Sequence, residues 1–313
     1  MNRSRLRVHL RALSSQAREL HRNPSNRGHR IERWVTVVRY ESNALLGRPT
    51  WVSFANGAYV RVTKGGNSSS RAAFARLPDW PEMAVWQHWL RPGDLFLDVG
   101  ANVGLYSLVA HEAGATVVAA EPADDMADAL EANLRKNAFE RVVVRRAAIM
   151  VHVGYVGLAG PDANRRRVVS GPAELQVSAT TLEELAGGVH PRGLKIDVEG
   201  HELSVVQGGA TVLGEGGVDL IQLEWNSASI EATGETRTPL AGRLRDLGFL
   251  LFEKEPTGRY AVNDTPDGPR FGSDVFAARG GAIDFLYQAP WLDAVGGGVG
   301  EHLLVLAASA PDC

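Results

Sequence analysis

The stretch "LFLDVGANVG", Leu95 to Gly104, decides how the rest of the chain is read. Leu95, Phe96, Leu97 and Val99 make an almost unbroken apolar run, as a strand covered on both faces of a sheet requires. The run passes into a turn with glycines at 100 and 104, and Val103 to Glu112 reads as a helix. Such a strand, turn and helix present backbone N–H groups to a ligand. A dinucleotide, a nucleotide phosphate and a sulfonium nucleoside all suit that turn, and the rest of the chain has to choose.

Downstream the alternation recurs. Strands are expected at "ATVVAAEP" (115–122), "RVVVRRAAIM" (141–150), "GLKIDV" (193–198), "VDLIQLEW" (218–225), "FLLFEK" (249–254) and "DVFAAR" (274–279). Between them, "ADDMADALEANLRKN" (123–137), "LEELAGG" (182–188), "HELSVVQGGATVL" (201–213) and "TPLAGRLRDLG" (238–248) have helical spacing, and 151–180 reads as irregular. This order predicts an α/β fold, a doubly wound and mostly parallel sheet covered on both faces.

Upstream, "WVTVVRY" (34–40) and "TWVSFANGAYVRVTK" (50–64) read as strands, the second with an Asn56-Gly57 hairpin turn. "NSSSR" (67–71) reads as a loop, and "PDWPEMAVWQHWLRPGD" (78–94) as a helix. The expected organisation is a basic extension over 1–30, a small β-rich lobe over 31–79, a ligand-binding domain over 80–290 and a tail over 291–313. Within the extension, Leu6, Leu10, Leu13 and Leu20 fall roughly on one face of a candidate amphipathic helix, which reads either as a solvated extension or as a surface for an anionic partner or membrane headgroups.

Composition narrows the function classes. The 313 residues are 44% hydrophobic and carry a formal charge of −3, which gives no global reason to expect nucleic acid. A single cysteine, Cys313, leaves no internal disulfide. No apolar run is long enough for a transmembrane helix, and no apolar h-region follows the arginine-rich start, so a cytoplasmic location is expected. The sequence sets no oligomeric state.

The turn itself argues against phosphate. A dinucleotide fingerprint needs G-x-G-x-x-G, but Asn102 stands at the second glycine and Gly104 comes one residue early. No phosphate-binding G-x-x-x-x-G-K-[ST] is present either. Two acids point elsewhere. Glu121 closes the second strand, where a carboxylate accepts hydrogen bonds from both hydroxyls of a ribose. Asp98, two residues before Gly100, repels a pyrophosphate but suits an ammonium. A ligand with a ribose, an ammonium and no phosphate is S-adenosylmethionine. Two rivals stay open: a nicotinamide-dependent oxidoreductase on a similar sheet, and a cofactor-binding partner protein without turnover.

"FLDVGANVGLYSLVA", "AAEP", "SATTLEEL" (178–185) and above all "LKIDVEGHELSVVQGG" resemble the FkbM-type S-adenosylmethionine-dependent methyltransferases over roughly residues 80–280. The resemblance implies a class I methyltransferase sheet and O-methylation of a hydroxyl on a sugar, glycolipid or polyketide-like secondary metabolite. It places Asp98, Gly100, Asn102, Gly104 and Glu121 around the cofactor, with Glu82 near its methionine end. One departure is that Arg145-Arg146-Ala147-Ala148 offers no acid or amide to the adenine, so backbone around Ala147 and Ala148 is expected there instead.

Methyl transfer to a hydroxyl needs alignment and a proton acceptor. In "LKIDVEGHE", Lys195, Asp197 and Glu199 alternate and would share one face if the strand continued. Asp197 or Glu199 is the candidate base, Lys195 orients or neutralises them, and His201 follows; Asp197 also counts among the cofactor contacts. Asp197, Glu224 and Asn226 are hard oxygen ligands at adjacent strand ends, a set that would suit Mg²⁺ if the reaction used a metal. Trp225 is expected in the core, and "NRRRVV" (164–169) reads as a solvated loop or as a clamp for an acidic acceptor.

Overall fold

The computed structural model describes residues 20–63, 67–160, 167–169, 173, 175–225, 237–263 and 274–294. Its first long element is a helix, α1 (Arg30–Leu45), where valine-rich "WVTVVRY" predicts a strand. Arg33, Thr36, Val37, Tyr40 and Ala44 are buried, a helical spacing, whereas Val35 and Val38 are exposed. β-branched residues lower helix propensity by only a few tenths of a kcal/mol each, so packing one face of the helix outweighs them. Arg33 pins that face: its buried guanidinium donates to the carbonyl oxygens of Ser53 (2.9 Å) and Ala72 (3.3 Å). The expected hairpin follows as β1 (Thr50–Phe54) and β2 (Ala58–Val62), joined through Asn56 and Gly57. Asn67–Ser70 is a short helical turn rather than a loop.

The alternating part runs α2 (Glu82–Trp89), β3 (Leu95–Val99), α3 (Leu105–Glu112), β4 (Thr116–Ala120), α4 (Asp124–Asn137) and β5 (Val142–Arg145). The expected third strand breaks there. β6 (Ala148–Ile149) leaves the main sheet and pairs with β9 (Leu175–Thr180), which with β7 (Gly154–Ala159) and β8 (Arg167–Val169) makes a four-stranded sheet ordered β6-β9-β7-β8. This sheet occupies the stretch read as irregular. Its strands are half-exposed and interrupted by Gly154 and Gly157, so they lack an apolar run.

The chain then continues through α5 (Leu182–Ala186), β10 (Gly193–Ile196), α6 (Glu202–Gln207), α7 (Ala210–Leu213), β11 (Leu220–Glu224), α8 (Arg237–Asp246), β12 (Leu250–Lys254), β13 (Tyr260–Val262), β14 (Asp274–Ala278), α9 (Gly281–Gln288) and α10 (Trp291–Ala294). The helix expected over 201–213 is broken at Gly208, where a Cβ would approach the Met150 carbonyl oxygen to 2.4 Å. The central sheet is ordered β13-β12-β14-β11-β10-β3-β4-β5. Strands β5, β4, β3, β10 and β11 are parallel, and β14 is antiparallel to both β11 and β12.

Neighbouring residues along β3 serve opposite layers. Phe96 packs with Trp86, Leu108 and Phe276, while Leu97 packs with Leu194, Ile196 and Leu240. The hairpin joins the first of these layers through Val52, Phe54, Val60 and Val62. Polar contacts lock it on: the Glu112 carboxylate accepts from the Asn56 and Ala58 N–H groups, and Asn133 and Asn137 accept from those of Arg61 and Tyr59.

The register of α1 is testable. In a strand, residues 35 and 37 would share a face; in the helix only Val37 is buried. Val37→Ala should cost about 2 kcal/mol in urea unfolding, and Val35→Ala should stay within about 0.5 kcal/mol of the parent.

Candidate active site

The strand order reverses between β3 and β10, the point at which open α/β sheets bind ligands beyond the carboxyl ends of their strands. A cavity of about 490 Å³ opens there. Its first wall is the turn after β3. Gly100 has φ +78°, and a Cβ on it would lie 1.8 Å from the Asp197 carbonyl oxygen, so a side chain is excluded. Asn102 also sits in the left-handed region, at φ +51°. Its N–H donates to Glu121 Oε2 at 2.8 Å, and the Ala123 N–H donates to Glu121 Oε1 at 2.9 Å. Burial raises the Glu121 carboxyl to about 7 against those two N–H groups. Ala147, Ala148, Ile149, Met126 and Leu158 continue this end of the cavity as an apolar wall. Arg146 points away, pairing with Asp124, Asp128 and Glu131.

The second wall is the loop after β10. The strand ends at Ile196, so Lys195, Asp197 and Glu199 do not continue one extended face as the alternation predicts. They nonetheless all line the cavity, together with His201 and Glu224. Lys195 Nζ donates to Asp197 Oδ2 at 2.9 Å. Burial works against the Lys195 charge, but the carboxylates of Asp197 and Asp98 outweigh it and raise the ammonium above its ordinary range. Glu199 takes φ +53° and has no hydrogen-bond or ion-pair partner among the described residues. Its carboxyl is raised by burial and by Asp197 and Glu202, against Lys195 and Arg167. Carboxylate oxygens of Asp197, Glu199 and Glu224 lie within 4.8 Å of one another. Asn226, the third member of the expected metal set, lies outside the described residues, as do 164–166 of the arginine run.

Two expected cofactor residues do not reach the cavity surface. Asp98 is buried behind it, accepting from Ser107 Oγ at 2.6 Å. Gly104 faces helix α4, where a Cβ would meet Leu130 Cδ1 at 2.1 Å. Glu82 does line the cavity and pairs with Lys254. Its carboxyl is raised to about 7 by burial, which Lys254 only partly offsets.

Several supporting residues went unread in the sequence. Gln222, the polar residue inside the apolar run of β11, accepts from Trp86 Nε1 (2.6 Å) and donates to Tyr106 Oη (2.9 Å) and Asp274 Oδ2 (2.5 Å). Burial and Asp197 raise Asp274 to about 6. Buried Glu202 accepts from the Gly200 N–H (3.1 Å) and from Arg237 Nη1 (2.6 Å), closing the loop that carries Glu199. The His201 ring bonds the Val168 carbonyl oxygen at 2.9 Å, tying the same loop to β8. Gln222 was detectable as a lone polar residue in a buried strand; Glu202 and Arg237, 35 residues apart, were not.

Residues 98–251 match the family model of the methyltransferase FkbM domain. Over that stretch the chain is thus similar to the FkbM-type methyltransferases, and its α/β sheet is mostly parallel, as in the class I methyltransferase fold. Similar solved structures include an S-adenosylmethionine-dependent O-methyltransferase from Thermotoga maritima, 14% identical, covering 74% of this chain and 93% of that one at a TM-score of 0.37. A ribosomal protein L11 methylase from Lactobacillus delbrueckii is 15% identical over 63% of this chain and 74% of its own, with a TM-score of 0.36. The magnesium protoporphyrin IX methyltransferase of Synechocystis, solved with bound S-adenosylmethionine, is 14% identical over 60% and 71%, with a TM-score of 0.34. No curated protein matches the sequence significantly.

The raised carboxyls have a consequence for stability. Glu82 and Glu121 titrate near 7 and Asp274 near 6 in the folded chain, all above their unfolded values. Their contribution is full below pH 4 and is lost as pH rises through 6 to 7. The ligand-free protein should therefore unfold more easily at pH 7.5 than at pH 5, by roughly 1–2 kcal/mol per group over that interval. Urea unfolding against pH checks this, and Glu121→Gln should flatten the slope.

Proposed function

We propose that the chain transfers the methyl group of S-adenosylmethionine to a hydroxyl oxygen of a sugar, glycolipid or polyketide-like acceptor. The observation that supports this reading is that one cavity is lined both by Glu121, beside the glycine turn, and by the carboxylates of Asp197 and Glu199.

The residues present fit the cofactor. Glu121 stands beside the glycine turn with both oxygens already oriented by backbone N–H groups, ready to accept from ribose hydroxyls. The apolar wall of Ala147, Ala148 and Ile149 suits an adenine face. Gly100 and Asn102 let the backbone approach closely, and Glu82 with Lys254 offers one group of each sign to the methionine end. Asp98 and Gly104 support the turn from behind. When bound, S-adenosylmethionine supplies an electrophilic methyl group on sulfur.

This chain's residues then have to hold an acceptor oxygen in line and take its proton. Asp197 is held by Lys195 and serves to orient the hydroxyl. Glu199 is the base: it lines the cavity, has no ion-pair partner among the described residues, and its carboxyl is raised above its ordinary value. Asp79, Glu224, Arg71 and Trp80 add the mixture of hydrogen-bonding groups and an aromatic ring that a polyhydroxylated acceptor requires. The carboxylates of Asp197, Glu199 and Glu224 would also suit Mg²⁺. The metal-free reading is preferred because Lys195 already neutralises Asp197.

Four outcomes test this. Glu121→Ala should weaken binding of S-adenosylhomocysteine by about 1–3 kcal/mol in calorimetry. Near pH 6 the parent should release a proton on binding, because ribose hydroxyls favour the ionised carboxylate; comparing two buffers of different ionisation heat reads this. Glu199→Gln should lower kcat by about 100-fold or more without changing nucleoside affinity, and EDTA should leave the parent rate unchanged.

A further inference from the structure

The outer face of α1 is apolar and uncovered. Ile31 is 84% exposed, Val35 65%, Val38 62%, Leu45 81% and Trp34 39%. At 3.6 residues per turn these five side chains fall within an arc of about 100°. The buried Arg33, Val37, Tyr40 and Ala44 lie on the opposite side of the same helix. Single exposed apolar residues need no explanation, but an aligned stripe of five on one helix marks a surface that something covers.

Charge says what covers it. Residues 1–48 contain eleven arginines, no lysine and three glutamates, in a chain whose net charge is −3. Arg22, Arg27, Arg30, Arg39 and Arg48 are exposed around α1. Arg30 and Arg39 donate to the carbonyl oxygens of His21 and Trp51, contacts that leave their charge uncompensated. A nucleic acid would match the arginines but not the apolar stripe. A purely apolar partner would match the stripe but not the arginines. An anionic bilayer surface matches both, with aliphatic side chains and a tryptophan at headgroup depth and arginines against the lipid phosphates. Among the described residues no helix is long and apolar enough to cross a membrane, so α1 lies on the surface rather than through it.

We propose that α1, with the exposed arginines that flank it, is a peripheral docking surface for anionic lipid. This inference does not depend on the identity of the methyl acceptor. The helix packs on β1 and on the segment beginning at Arg71, which lines the cavity. Docking through α1 therefore holds the cavity wall close to the membrane.

Co-sedimentation of the full chain with vesicles tests the proposal, using phosphatidylcholine alone and phosphatidylcholine with roughly one third phosphatidylglycerol. The parent should bind the anionic vesicles, bind the neutral ones far more weakly, and lose affinity as salt rises. The triple variant Ile31→Ser, Val35→Ser, Val38→Ser should bind about 10- to 100-fold more weakly while keeping its affinity for S-adenosylhomocysteine. If the triple variant does not fold, Val35→Ser alone is read in the same assay and should still lower binding. Failure of the parent to bind anionic vesicles overturns the proposal, as does equal binding by the variants. It is equally overturned if the parent is a dimer that the triple variant converts to monomer without either binding vesicles, or if polynucleotide binds parent and triple variant alike and vesicles bind neither.

Discussion

The active end of this molecule depends on two backbones passing closer than any side chain would permit. The turn after β3 and the loop after β10 meet at Gly100, whose missing Cβ leaves room for the Asp197 carbonyl oxygen. The Asp197 N–H donates to the Val99 carbonyl oxygen at 3.0 Å, so the parallel pairing of β3 with β10 runs right up to the cavity. One close approach therefore sets the distance between the proposed cofactor contacts at Asn102 and Glu121 and the carboxylates of Asp197 and Glu199. A methyl-transfer site needs that distance held, because cofactor and acceptor reach it from different sides.

Around this contact the protein keeps charge where it is costly. Asp98, Glu82, Glu121, Lys195 and Glu202 are all buried. Some are neutralised by partners: Glu202 by Arg237, Glu82 by Lys254, and Lys195 by Asp197. Others are met by backbone N–H groups, as Glu121 is. Burial raises the carboxyls of Glu121, Glu82 and Asp274, which marks a site arranged for ligands rather than for stability alone. Gln222, which also donates to Tyr106 Oη, donates to Asp274, and Glu202 accepts from the loop that carries Glu199.

The segment before the sheet is joined to this core, not appended to it. The β1–β2 hairpin shares its apolar residues with α3 and α4, and the asparagines of α4 hold its edge. Helix α1 packs on that hairpin by one face and leaves the other bare. The proposed docking surface and the proposed methyl-transfer cavity are then joined through one packed apolar core.

Much of this was legible in the sequence. "LFLDVGANVG" and the alternation after it determined the parallel sheet, since strands buried on both faces must be apolar throughout. Glu121 and Asp197 could be placed because strand ends are where a doubly wound sheet exposes its polar groups. Three matters were decided only by tertiary structure. The valines of 34–40 became helix because packing of Arg33, Val37 and Tyr40 on the hairpin outweighs local propensity. The sheet over 148–180 escaped notice because half-exposed, glycine-broken strands carry no apolar period. The partners of Gln222, Glu202 and Lys254 lie 35 to 172 residues away, and no local pattern encodes a contact between side chains that only the folded chain brings together.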